Sequence, residues 1–251
     1  MKSIIVLLLF ICSSFLPLNA QPTTIVVRAK AVDAKFIGSS MGGALVIIRD
    51  VISDSIISTG YTNGSTGDTD LIMKEPMVRG ESITTEGTAS FKTTIDLVIP
   101  QLVNIEVYSP LNNAGTKIKA ERQIWLIPGK DIMGEGIIID ISGFVIDLVS
   151  PYIHHRYHVN DTIEIKANVV MMCGCPVQPG GLWDADKYEI NAVFRQDGKV
   201  VKELKLAYTG ESNLFGSAIS GLKEGVYQIY VYAYDQSTGN TGVDQSSIII
   251  R

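Results

Sequence analysis

After the first 20 residues this chain is built from short β-branched runs, and no segment holds a helical rhythm for three turns. The nearest to a helix is residues 73–78, and Pro76 interrupts it. Strand-like runs fall at residues 24–32, 44–48, 91–99, 103–108, 122–127 and 137–141. They continue at 144–149, 162–171, 188–194, 200–206, 226–234 and 246–250. Gly, Pro, Asn and Asp punctuate them, as in a sandwich or barrel. Glycines 129, 134, 136 and 143 cluster near the middle, so the pattern predicts an all-β chain of two consecutive antiparallel β-sandwich domains. The expected units are a signal peptide at 1–20, an N-terminal sandwich at 21–143 and a C-terminal Ig-like sandwich at 144–251. The short connection at Gly143 predicts a fairly fixed angle between the sandwiches.

The start of the chain bears on location. Met1-Lys2 precedes an apolar run at residues 4–18, then Leu18-Asn19-Ala20. A basic start, a short apolar core and a small residue before the cut form a secretory signal peptide, cleaved near Ala20. The run is shorter than the roughly 20 apolar residues that span a bilayer. An uncleaved anchor, or acylation at Cys12, are the other readings; Phe10-Ile11 fits acylation poorly. The expected product is periplasmic or extracellular, with no transmembrane segment. Its formal charge, −5 for the whole chain, becomes −6 without Lys2. Such a surface repels phosphate backbones, so nucleic acid is not an expected partner.

One string looks catalytic. Gly38-Ser39-Ser40-Met41-Gly42 fits G-x-S-x-G, with Ser40 as nucleophile. That chemistry needs a helix immediately after the serine. Here a strand-like run comes next at 44–48, and the only histidines, His154, His155 and His158, belong to the other half. A Gly-rich turn between strands is the expected structure, and a serine hydrolase the least expected function.

Met171-Met172-Cys173-Gly174-Cys175 offers soft sulfur donors suited to Cu or Zn, and a metal-handling envelope protein is the alternative function. A disulfide across Gly174, or inert loop thiols, are the other readings. The eleven steps from Thr162 to Cys173 span roughly 36 Å as a strand, which separates the histidines from the cysteines.

The loops after two strands of the second half carry Trp183, Asp184, Asp186, Asp235, Asn240 and Asp244. In an immunoglobulin-like topology they share one end of the sandwich. An aromatic among carboxylates suits protein or carbohydrate recognition, and the oxygens suit Ca, although no regular calcium-loop spacing is present. Alternatively, Trp183 plugs the core end while the Asp and Asn side chains cap turns. Residues 61–90 are a second, polar stretch expected to be an exposed loop.

The run Tyr232-Ala233-Tyr234-Asp235-Gln236-Ser237-Thr238-Gly239-Asn240-Thr241, entered through Glu224-Gly225-Val226-Tyr227, resembles the last hairpin of bacterial Ig-like and fibronectin-type-III-like modules. Gly42-Gly43-Ala44-Leu45-Val46-Ile47 and Gly60-Tyr61-Thr62-Asn63-Gly64 resemble the strand–turn pattern of transthyretin-like or carboxypeptidase-regulatory-like sandwiches. These resemblances imply adhesion, carbohydrate binding or scaffolding beside an enzyme. The expected function is a non-catalytic binding or assembly module at the cell envelope, with a protein or carbohydrate partner and no cofactor.

Overall fold

The protein is described by a computed structural model covering residues 19–251. The expected signal peptide and Cys12 fall on residues 1–18 and so lie outside the described residues, apart from Asn19 and Ala20.

The alternating pattern folds as strands because each buries one face. The first half contains β1 (Gln21–Ala31), β2 (Leu45–Asp50), β3 (Ile56–Tyr61), β4 (Phe91–Leu97), β5 (Gln101–Ser109), β6 (Ile118–Leu126) and β7 (Ile132–Ile141). One sheet runs β4-β1-β7 and the other β3-β2-β5-β6. Val103, Ile105 and Val107 of β5 and Val46 and Ile48 of β2 supply the inward side chains. Residues 61–90 contain one short helix, α1 (Thr69–Met73), capped where the Asp68 carboxylate accepts from the Leu71 N–H.

The second half contains β8 (Phe144–Ser150), β9 (His155–Tyr157), β10 (Ile163–Met171), β11 (Val177–Gln178), β12 (Trp183–Asp184), β13 (Glu189–Gln196), β14 (Lys199–Lys205), β15 (Ala207–Tyr208), β16 (Leu214–Ile219), β17 (Gly225–Tyr234) and β18 (Thr241–Ile250). Its sheets run β15-β16-β10-β8 and β14-β13-β17-β18-β9, with β11-β12 as a small annex. In immunoglobulin terms these are strands D, E, B and A facing C′, C, F and G, with the first strand divided between the two sheets. The chain is all-β apart from short helical turns, in two sandwiches, the second with an immunoglobulin-like strand order.

Pairing is mostly antiparallel, but not wholly as expected. β1 pairs with β7, β18 with β9 and β11 with β12 in parallel. In each half the first part of the chain thus lies beside the last strand and closes an edge of the sandwich. Every ladder lies on one side of Gly143 or the other. The buried apolar residues nevertheless form one cluster running through both halves, from Ile25 to Ile250.

A buried guanidinium organises the first sandwich. The β1–β7 register shifts around Gly134 and Gly136, leaving backbone carbonyls that the ladder does not use. Arg28 donates to the carbonyls of Glu135 at 3.1 Å and Gly134 at 3.3 Å. It also donates to Ala89 at 3.0 Å and to Thr88. Burial lowers its pKa and Glu135 works the other way; an arginine stays charged regardless. Arg28 thus fastens the end of the 61–90 excursion to the bulge in β7.

Substituting Arg28→Met removes the donor from the buried Thr88 and Ala89 carbonyls. It should cost about 2–4 kcal/mol in chemical denaturation, and limited proteolysis should shift to cuts within residues 74–87.

Candidate functional site

Chain direction places the loops. β8 leaves Gly143 at the end of the second sandwich where β10 and β17 finish, because Phe144 pairs with Met171 and Tyr234 with Thr241. The loops that carry Trp183 and Asn240 therefore sit at the end that faces the first sandwich. The side chains expected to meet solvent meet protein instead.

Trp183 is 5% exposed, and its indole N–H donates to the Asp33 carbonyl across the seam at 2.8 Å. Asn240 is fully buried at 0%. Its carboxamide oxygen accepts from the Gly143 N–H at 2.8 Å, and its NH2 donates to the Val32 carbonyl at 3.0 Å. One side chain thus ties together the connection, the end of β1 and the last hairpin. Gly143 (φ +130°) has to be glycine, since a Cβ there would sit 2.7 Å from the Thr241 carbonyl oxygen.

Three of the four carboxylates are spent on donors within the second sandwich. Buried Asp235 accepts from the Ser237 N–H, the Ser237 hydroxyl and the Thr238 hydroxyl. Burial works to raise its pKa, but these hydrogen bonds from Thr238 and Ser237 hold it below the ordinary value. Asp184 accepts from the N–H groups of Gly180 and Asp186, which lower its pKa. Asp244 accepts from the N–H groups of Leu148 and Gln245. Asp186 is exposed on a short 3-10 turn. Of the expected six, Trp183 and Asn240 fasten the two sandwiches, Asp184, Asp235 and Asp244 hold backbone and hydroxyl donors within the second, and Asp186 stays exposed.

The sulfur segment lies in the same seam. Cys173 and Cys175 are joined as a disulfide, so neither is a free thiolate. Met171 is buried in the β10 core, and the Met172 methyl lies close to Gly143. The thioether of Met41, from the first sandwich, lies against Gly174. A cleft of about 470 Å³ opens here, lined by Lys35, Ser40, Lys74, the disulfide and Trp183. Among the described residues, no three His, Cys, Asp or Glu side chains gather as a metal site.

Ser40 sits exposed in a single 3-10 turn, Ser39–Met41, from which the chain runs into β2. The turn is closed by Gly42 and Gly43, at φ +76° and +69°. His154, His155 and His158 are exposed near the start of β10, and Cys173 lies just past its end.

A third region, at the far end of the first sandwich, carries no signal in the sequence pattern. Ile52 is 94% exposed and Trp125 59%, with Val98 and Ile99 beside them. With Leu97 and Leu102 they line an apolar cleft of about 460 Å³. Asp50 brackets the adjoining loop. Hydrogen bonds from Gln101 and Ser53 hold its carboxyl down at about 2, so it stays ionised through mild acid.

No protein-family description and no curated relative matches the sequence. Among solved structures, the chain is similar to an engineered protein: 18% identity, TM-score 0.33, 50% of this chain and 24% of that one, so it spans about a quarter of that protein's length. It is also similar to the fibronectin(III)-like modules of Clostridium thermocellum CbhA, with 16% identity, TM-score 0.29, 83% of this chain and 78% of that one. A third is the titin domains z1z2 in complex with telethonin, with 10% identity, TM-score 0.25, 93% of this chain and 89% of that one. These likenesses concern layered β architecture; function has to come from the residues themselves.

Two outcomes test the seam. Asn240→Ala should cost about 2–4 kcal/mol, because it orphans a buried N–H and a buried carbonyl; Trp183→Phe should cost about 1 kcal/mol in the same denaturation assay. The second test is a pH series on Asp33→Asn. Burial and then Asp235 raise the pKa of Asp33 above 3.8, so its ionised form opposes folding. The variant should melt higher than the parent at pH 7, where that opposition is complete, and the gain should vanish as the pH falls below 3.8.

Proposed function

We propose that this chain is an exported, non-catalytic binding or assembly module, in which two sandwiches fastened at the seam present the apolar tip of the first to a protein partner. The observation that carries this reading is the cluster of Ile52, Val98, Ile99 and Trp125 in solvent around one cleft. A soluble domain does not leave such side chains side by side without a use, and exposed tryptophan is prominent among residues that dominate protein interfaces.

A protein partner suits the tip better than a glycan. Sugars need polar partners around an aromatic platform. Here the lining is aliphatic, and the Asp50 carboxylate is already occupied by Gln101, Ser53 and Ile52. The alternative of metal handling rests on the sulfur segment, whose two cysteines are tied to each other as the chain stands. Hydrolysis at Ser40 has little support, because the turn lacks a following helix and a nearby histidine.

Export is supported at the start of the described chain. Ala20 is exposed, and β1 begins at Gln21 with the first paired residue. A cut after Ala20 leaves β1 whole. Among the described residues no helix is long and apolar enough to cross a membrane.

Two measurements test the proposal. N-terminal sequencing of the native protein should begin at Gln21; an intact Met1 would refute the export reading. For the binding surface, a photo-crosslinking residue placed at Ile99 should join one discrete protein in cells. The same probe at exposed Asp186 should not, and Trp125→Ala together with Ile52→Asp should abolish the adduct. Equal crosslinking from both positions would overturn the assignment of the tip.

A further inference from the structure

The seam holds a sulfur arrangement that the binding role leaves unused. Cys173 and Cys175 close a loop with one residue between them, and the shortest loops gain least from a crosslink. The turn is already held by the backbone: Met171 donates to the Cys175 carbonyl at 3.0 Å and Gly174 to the Met171 carbonyl at 2.7 Å. Val170 and Pro176 add an isolated bridge just beyond. The disulfide is therefore not what keeps this turn in place.

Met41 reaches the turn from the other sandwich. An added Cβ on Gly174 (φ +78°) would lie 2.5 Å from its sulfur, so glycine alone allows the approach. The Met41 carbonyl accepts from the N–H groups of Leu111 and Asn112, at 3.2 and 3.3 Å, which fixes the Ser39–Met41 turn in place. The Asn112 carboxamide N lies 4.0 Å from the Met41 sulfur. The disulfide thus lines a cleft whose other lining includes Lys35 and Lys74, and the Met41 thioether lies against Gly174, the residue between the two cysteines.

We propose that reduction of the Cys173–Cys175 disulfide opens a Cu(I) site made by these two sulfurs and the Met41 thioether, bridging the two sandwiches. The reductant is a dithiol. It gives two electrons and two protons to the disulfide, which becomes two thiols, and is itself left as a disulfide. Cu(I) then takes both sulfurs as thiolates and displaces two protons to solvent, while Met41 adds a neutral third donor. The resulting unit carries one negative charge, and the Lys35 ammonium in the same cleft, which donates to the neutral Thr69 hydroxyl, favours it, while Lys74 is paired with Asp70. Three soft donors suit Cu(I), which accepts low coordination. Structural zinc asks for four ligands, and the nearby groups do not complete that set. A small-molecule disulfide reverses the step: it takes the two electrons as the thiolates rejoin, becomes a dithiol with two protons from solvent, and the Cu(I) ion is released, so copper occupancy tracks the thiol–disulfide balance of the surroundings.

The test uses the full mature chain without a histidine tag. Reduced protein is titrated anaerobically with Cu(I) against a colorimetric Cu(I) chelator. It should hold one copper per chain, and the oxidised protein none. X-ray absorption should show sulfur as the only neighbour of the metal. Cys173→Ser with Cys175→Ser should abolish retention. Met41→Leu, which keeps the apolar volume, should weaken it about tenfold, with circular dichroism and melting temperature checked against the parent. The proposal fails if reduced parent gives up copper as readily as the double serine variant. It fails equally if reduction unfolds the chain, or if Met41→Leu holds copper as tightly as the parent. Loss of copper binding would leave the crosslink at Ile99 untouched, so the two readings stand or fall separately.

Discussion

The carboxamide of Asn240 is where the two halves of this protein become one object. A buried amide must find partners for both its oxygen and its nitrogen, and here those partners are the connection at Gly143 and the last carbonyl region of β1. Trp183 adds a large ring and a second crossing hydrogen bond. Because the apolar cluster runs unbroken through this junction, the sandwiches do not behave as beads on a string. What each presents outward is set by what the seam consumes. Trp183 and Asn240, on loops an isolated immunoglobulin-like domain would offer to a ligand, are buried inside the molecule.

Much of the fold was legible because strands buried on one face advertise themselves. β10 reads Ile-Glu-Ile-Lys-Ala-Asn-Val-Val-Met, and Ile163, Ile165, Ala167, Val169 and Met171 are the residues that point inward. The strands that escaped notice are those in which packing overrides composition. β16 carries Gly216 and Ser217 and looks like a turn. Phe215 and Ile219 nevertheless hold it in the core, and a Cβ at Gly216 would come within 3.2 Å of the Ile165 carbonyl oxygen. The parallel closing pairs could not be seen locally, because pairing between β1 and β7 depends on residues more than a hundred positions apart.

The site was half legible. Trp183 and Asn240 lie in loops at the end of the second sandwich that meets the first, and both bond across the seam. What the sequence reading missed is direction: the chain enters the second sandwich at the very end where those loops lie, so the first sandwich covers Trp183 and Asn240. Strand polarity contains that information, and composition does not. The apolar tip was hidden for the opposite reason. Ile52, Val98, Ile99 and Trp125 are typical strand and core residues, and only the folded arrangement shows them outside. Residues 61–90 are more ordered than their polarity suggested, since Arg28 grips the Thr88 and Ala89 carbonyls from below.

The run of the terminal strands has a mechanical consequence. β1 starts beside Leu97 at the tip of the first sandwich, and β18 ends beside Tyr157 at the opposite tip of the second. Tension applied along the long axis would enter through β1, flanked by β4 and β7, and leave through β18, flanked by β17 and β9. Hydrogen bonds loaded that way must shear together instead of unzipping singly. The junction at Gly143 carries the same load in series, and Asn240 and Trp183 supply its crossing bonds.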